Sequence, residues 1–234
     1  MNGFKFLGKH THKDYGLTMA PGSVIGSPKK KKITVAVPFA NHVYDFSEIY
    51  GDQVYGERSL TYKLNVAEKS IVGMHQKKVS LTNWLMNSHG KQKLYDDRYP
   101  GYYFLAEVID DADINIDSTN GVFSVTFSAY PFMIAELPEG NDIWDSFNFE
   151  LDVSQNLAFI VEGELEAEII NAGTPQVIPT IESTADMSIK KGNVTYDVGI
   201  GVTKSFDFTL DSGVNAITIT GTGTIKFEFY KELI

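Results

Sequence analysis

The chain has 234 residues, 43% of them hydrophobic and 21% charged, which is enough apolar side chain for two modest cores and too few charges for disorder over most of its length. It contains no cysteine, which excludes disulfides, thiolate zinc sites and cysteine nucleophiles. The formal net charge of -10 lies almost wholly in one half: residues 1–138 carry 15 Lys+Arg against 14 Asp+Glu and residues 139–234 carry 5 against 16, so like-charge repulsion argues against nucleic acid or anionic membrane as the second half's partner.

The start, Met1-Asn2-Gly3-Phe4-Lys5, lacks the apolar core of a signal peptide, and nowhere do about 18 apolar residues run together, so a protein made soluble in a cytosol is expected. Residues 4–28 hold short apolar pieces broken by glycines, Pro21 and Pro28, which suits an extended arm. Lys29, Lys30, Lys31 and Lys32 then lead into an alternating strand, Ile33, Val35 and Val37 against Thr34 and Ala36, ending at Pro38. Clustered cations suit a nucleic-acid patch, but no aromatic platform interleaves with them, and a charge-guarded entry to an exposed strand is the better reading. Val43-Tyr44-Asp45-Phe46 and a Gly51-Asp52 turn precede a second strand with Leu60, Tyr62, Leu64 and Val66 on one face.

Ser80 is placed to cap a short helix carrying Leu81, Trp84 and Leu85 on one stripe and ending near Gly90, with His89 in its last turn. Strands follow at Lys91–Tyr95 and Tyr102–Ile109, joined by a longer hairpin loop, then a short one at Ile114 and Ile116. Asn120-Gly121 reads as a turn into Val122–Tyr130, where Phe123, Val125, Phe127 and Ala129 face inward. Residues 131–145, with the isolated Trp144, look like a connection, and the domain boundary is set near Pro138. Beyond it, strands are expected at Phe147–Val153, Ala158–Ile170, Val177–Ile181, Met187–Ile189, Val194–Val198, Ser205–Leu210, Ala216–Thr220 and Thr224–Tyr230. Their spacing indicates an antiparallel sandwich or jelly roll. The fold class is therefore mainly β in two domains, 1–138 and 139–234, the first with one short helix.

No constellation makes a catalytic, cofactor or metal site. The run Asp111 to Asp117 has Ile116 and Val122 where a calcium loop needs glycine and glutamate, so it reads as a strand with a charged outer face. Glu162, Glu164, Glu166 and Glu168 alternate along one strand face, about 6.5 to 7 Å apart, near the separation of an inverting glycosidase pair; any alternating acidic strand gives that spacing, and a solvated face is the simpler reading. The histidines at 10, 12, 42, 75 and 89 show no convergent ligand spacing, and the Gly199 and Gly221 stretches lack the third glycine of a dinucleotide loop. Phe206, Phe208, Phe227 and Phe229 alternate as core residues do, leaving Trp144 and Tyr196 as candidates for stacking on a sugar.

The ordered set Gly3-Phe4-Lys5-Phe6-Leu7-Gly8-Lys9-His10, Ile33 to Pro38 behind its lysines, Val43 to Ser47, Gly51, Tyr55 and Arg58 to Tyr62 resembles the distal tail proteins of siphophages and related prophages. The Trp84-Leu85 helix and the Tyr102–Val108 strand fit that pattern. The second half, with Asn171-Ala172-Gly173, Pro175, Pro179 and Asn215 to Gly221, is similar to the family's galectin-like carboxyl-terminal domain. The resemblance implies a non-enzymatic baseplate hub assembled in the host cytoplasm and resident at the virion tail tip. Its first domains would form a hexameric ring between the tail tube protein and the tail-associated lysin or host-recognition protein, and its second domains would project outward toward receptor-binding proteins, with no membrane and no sequence-specific nucleic acid as partner. Two other functions remain open. One is a carbohydrate-binding module acting through residues 139–234, and the other is a glycan hydrolase built on Glu164 and Glu166. Asp45 and Arg58 are marked as a structural pair or an interface contact.

Overall fold

A computed structural model describes residues 3–39, 41–49, 51, 53–109, 113–117, 119–141, 143 and 148–234, the side chains of 113–117 excepted. The protein is mostly β, with one helix among the described residues, and divides into two compact units, Met1–Met133 and Ile134–Leu233. Asp52, Asp111, Trp144 and Phe147, on which parts of the sequence reading fall, lie outside the described residues.

In the first unit the strand Arg58–Ala67 pairs antiparallel along its whole length with Asn120–Ala129. Its burial alternates as the sequence pattern requires, with Leu60, Tyr62 and Leu64 fully buried. Tyr102–Val108 and Gln92–Asp96 follow in the sheet, and Phe4–Phe6 pairs beyond them. Phe4 thus lies four strands from Tyr62, about 19 Å away in a flat sheet. Their ring centroids are 4.5 Å apart, so the sheet curls over its own core. The helix Ile71–Leu85 adds Met74, Leu81, Trp84 and Leu85 to that core. The Trp84 indole donates to the Phe6 carbonyl at 2.9 Å, which satisfies the one polar group its ring brings inside.

Three expectations for this unit are corrected. Residues 4–28 are not a free arm: Phe4 and Phe6 are fully buried, and Thr18–Met19 and Val24–Ile25 pair with the Arg58–Ala67 strand. The glycines that suggested loose chain sit in turns between strands of two or three residues, too short to show a period. Gly3 N–H donates to Asp97, and His10 joins the same clamp through Nε2, 3.1 Å from Asp97, while its Nδ1 accepts from the His12 and Lys13 amides. The helix starts ten residues earlier than read, capped by Ser70, whose hydroxyl accepts from Gly73 N–H at 3.1 Å. Exposed Ile71, Val72 and Val79 had blurred its apolar stripe. Asn120 and Gly121 are paired strand residues opposite Asp117 and Ile116, so the reversal falls before them.

The second unit is built on two long antiparallel strands, Ala158–Asn171 and Gly213–Glu228, paired throughout. The other edge of Gly213–Glu228 is shared: residues 218–220 pair with Met187–Lys191, and residues 225–228 pair with Thr180–Ser183. Between these halves Gly221 and Gly223 take φ of 145° and 153°, values open to glycine. They bend one strand where the sequence suggested two strands and a turn. The halves enclose a single core that includes Ile181, Ile189, Phe208, Ile219 and Phe227. Residues 148–153 form turns and irregular chain, and 205–210 hold only a bridge from Leu210 to Val177, so neither expected strand is present there. Phe206 is correspondingly exposed, at 88%, while Phe208 stays inside.

Candidate assembly surface

The stretch between Gly26 and Arg58 leaves the core as a ladder. Gly26 N–H donates to the Ser59 carbonyl at 2.9 Å, Gly56 N–H to Lys29 and Lys31 N–H to Val54, both at 2.8 Å. Farther out, Thr34–Ala36 pairs with Val43–Asp45 as a separate two-stranded sheet, with Val35 opposite Tyr44. The alternation read from the sequence is present, yet every residue of both strands is exposed. Strand periodicity places Ile33, Val35 and Val37 on the same face as His42, Tyr44 and Phe46. The Tyr44 ring lies 4.8 Å from His42 and 6.4 Å from Phe46, as that sharing demands. Ile33 is 59% and Tyr44 48% exposed, where Leu60 and Tyr62 in the core strand are fully buried. A two-stranded ribbon is at best marginal alone in water, and one with an apolar face is suited to a partner.

The ladder is fastened at its exit. Arg58 is buried, donates from Nε to the Gly26 carbonyl at 2.7 Å and from Nη1 to Pro131, and lies 5.2 Å from the centre of the Phe104 ring. Burial pulls its guanidinium below the usual range, and it stays charged at any ordinary pH. Next to it Lys91 bridges Glu57 at 2.6 Å and Glu107 at 3.2 Å, and Ser128 donates to Glu57. The Lys91 hydrogen bond, then that of Ser128, holds the Glu57 carboxyl below its ordinary value. Along the ribbon, Lys32 Nζ lies 2.8 Å from Asp45, whose carboxylate also accepts from the Ser47 hydroxyl and amide. The lysine bond first, and then Ser47, holds Asp45 well below the carboxylate range.

Asp45 and Arg58 are therefore not a pair: the first fastens the ribbon's two strands and the second anchors it to the core. Lys32 has the strand-guarding place read for it, and Lys30 bridges Tyr55 at the ladder's base. Glu162, Glu164, Glu166 and Glu168 are all exposed, opposite Thr222, Thr220, Thr218 and Ala216, so the row is a solvated face and not a buried acid pair. Among the described residues no group of three metal-ligating side chains converges, and no helix is long and apolar enough to cross a membrane. What sequence reading missed was Arg58 as a buried anchor; its place at an inward position of an alternating strand was the available signal.

Residues 48–129 match the family model of the phage tail protein RIFT-related domain, and that segment contains the anchor strand, the helix and the strands through Ala129. The match falls wholly within the first unit. Among solved structures, the Dit protein (gp 19.1) of phage SPP1 is similar over 100% of both chains, with a TM-score of 0.62 and 10% sequence identity, a likeness of fold. No curated protein matches the chain. The resemblance to siphophage distal tail proteins is borne out in both respects, by a phage tail domain match within the first unit and by a distal tail protein's fold over the full length.

Proposed function

We propose that the chain is a structural subunit of a phage tail-tip hub, whose copies close into a hexameric ring joining the tail tube to the tail-associated host-recognition protein. The observation that carries this reading is the ribbon Thr34–Asp45, a hydrogen-bonded strand pair held out from a complete core with its apolar residues exposed. Such a ribbon supplies what a head-to-tail contact needs: a projecting element on one copy and a different surface on the next, which closes as a ring. The fold likeness to the SPP1 protein, described as a paradigm of the hub adsorption apparatus of phages infecting Gram-positive bacteria, supports the same place in the tail. The second unit, galectin-like in this reading, projects outward as a platform for receptor-binding proteins. The work of the chain is assembly and not catalysis, carried out in the host cytoplasm before the tail is complete.

Light scattering and negative-stain images of purified protein, alone and mixed with tail tube protein, test this. Rings are expected with the native ribbon. The Tyr44→Ser, Phe46→Ser double variant keeps its fold, because substitutions at exposed positions shift stability by about 0.5 kcal/mol or less. It loses the rings, since each aromatic offers roughly 1 kcal/mol of further burial at each contact. A strict monomer under all these conditions, or rings unchanged by the double variant, would overturn the reading.

A further inference from the structure

The first unit has a second exposed apolar feature besides the ribbon, a groove of about 770 Å³ along the helix Ile71–Leu85. Val72, Gln76, Val79 and Asn83 line it at the spacing of one helical stripe, opposite the buried Met74, Leu81 and Leu85, and all are exposed. Leu7 and Trp84 complete the apolar lining. Leu7 lies in the short turn between Phe6 and Lys9, with φ of 46° followed by 79° at Gly8. Such a turn favours asparagine before glycine, and a leucine there is strained. The strained position thus holds an apolar side chain against both the core and the groove, where a polar one would relax the backbone.

We propose that this groove receives the ribbon Thr34–Asp45 of a second copy of the chain, a contact that rests on the ring reading above. The stripe from Val72 to Asn83 is about 16 Å long, and the exposed run Ile33–Val37 is about 14 Å. Among the described residues each ribbon strand has a single paired neighbour, so its outer edge presents backbone donors and acceptors. The Gln76 and Asn83 amides both donate and accept, which suits them to that edge. Residues 33–49 carry Asp45 and Glu48 and no lysine or arginine, whereas the groove's described lining has Lys9 and no carboxylate. Among the described residues, none of the ribbon lines the groove of its own chain. One copy's ribbon therefore serves the next copy, and that copy's the one after, as a head-to-tail ring requires.

The chain has no cysteine, so single thiols placed in it report on the contact. Ala36→Cys marks the ribbon and Ser80→Cys the groove, both at exposed positions. The two variants are mixed, with and without tail tube protein, and treated with a short bismaleimide, while negative-stain images of the same samples score rings. A cross-linked dimer is expected in the mixture and not from either variant alone. Val79→Glu in the groove-marked copy lowers its yield about tenfold or more, since it buries a carboxylate against an apolar face. Leu7→Asn relaxes the turn, keeps the urea midpoint within about 0.5 M and lowers the yield about threefold or more. Rings without a mixed dimer, a dimer from Ala36→Cys alone, or a yield unchanged by both folded groove variants would overturn this contact without touching the ring reading. A mixed dimer without rings would support the contact and refute the closed ring, and neither dimer nor rings would refute both.

Discussion

Phe4→Ala separates a packed first strand from a free arm more sharply than any other single change. Phe4 is fully buried, touches Tyr62, Phe127 and Trp84 with centroids 4.5, 5.6 and 6.0 Å away, and closes the curled sheet against its far side. Truncating a buried phenylalanine removes its transfer energy and leaves a cavity, together about 3–5 kcal/mol. Collapse is hindered here, because the Trp84 indole is tied to the Phe6 carbonyl and the Tyr62 hydroxyl donates to Asp96 at 2.9 Å. The upper part of that range is therefore expected. Asp96 is in turn held by Arg98 at 2.7 Å, and burial pushes the Tyr62 hydroxyl well above its ordinary value, so neither group is released by the cavity. The assay is urea unfolding followed by Trp84 fluorescence in a Trp144→Phe background, so that only the first unit reports. With a slope of about 2 kcal/mol/M the midpoint falls by roughly 2 M. A shift under about 0.5 M would mean that residues 4–28 contribute little to the core, and would refute the curled-sheet account.

Two further outcomes follow from the same geometry. Because Lys32 and Ser47 hold Asp45 below the carboxylate range, its contribution to the ribbon is complete above the ordinary value of 3.8 and is lost as pH falls through the lowered one. The Ser47 amide, which donates to Asp45 at 2.9 Å, should lose exchange protection on acidification, and Asp45→Asn should remove that pH dependence; an unchanged profile in the variant would count against the pairing. In the second unit Gly221→Ala should cost about 1–3 kcal/mol in thermal unfolding, mainly because φ of 145° is strained for any residue with a Cβ. The added carbon would also stand 2.8 Å from Cγ of the buried Met187 and 3.3 Å from the Asp186 carbonyl oxygen, so crowding adds to the strain, and a loss under about 0.5 kcal/mol would count against this account of the glycine.

The sequence by itself determined the local periodicities. Leu60, Tyr62 and Leu64 on one strand, Phe123, Val125 and Phe127 on its partner, and the Leu81, Trp84 and Leu85 stripe are inside as their spacing required, because period two and period 3.6 are properties of the backbone alone. The family pattern was legible for the same reason, being a matter of order along the chain. Strands of two or three residues were not, since a period needs more positions to show itself, and so Phe4–Phe6 was taken for loose chain. Tertiary structure alone decided which alternating pattern is core and which is surface. Ile33, Val35 and Val37 alternate as Leu60, Tyr62 and Leu64 do, yet the first set is exposed and the second buried, because one strand is covered by the curled sheet and helix and the other has only a single paired neighbour. Likewise a Gly-Thr-Gly that reads as a turn became a bend inside one strand once Ala158–Asn171 paired across it without a break. Pairing over distance, and not local preference, settles such cases, and it leaves the ribbon and its apolar face standing outside the core.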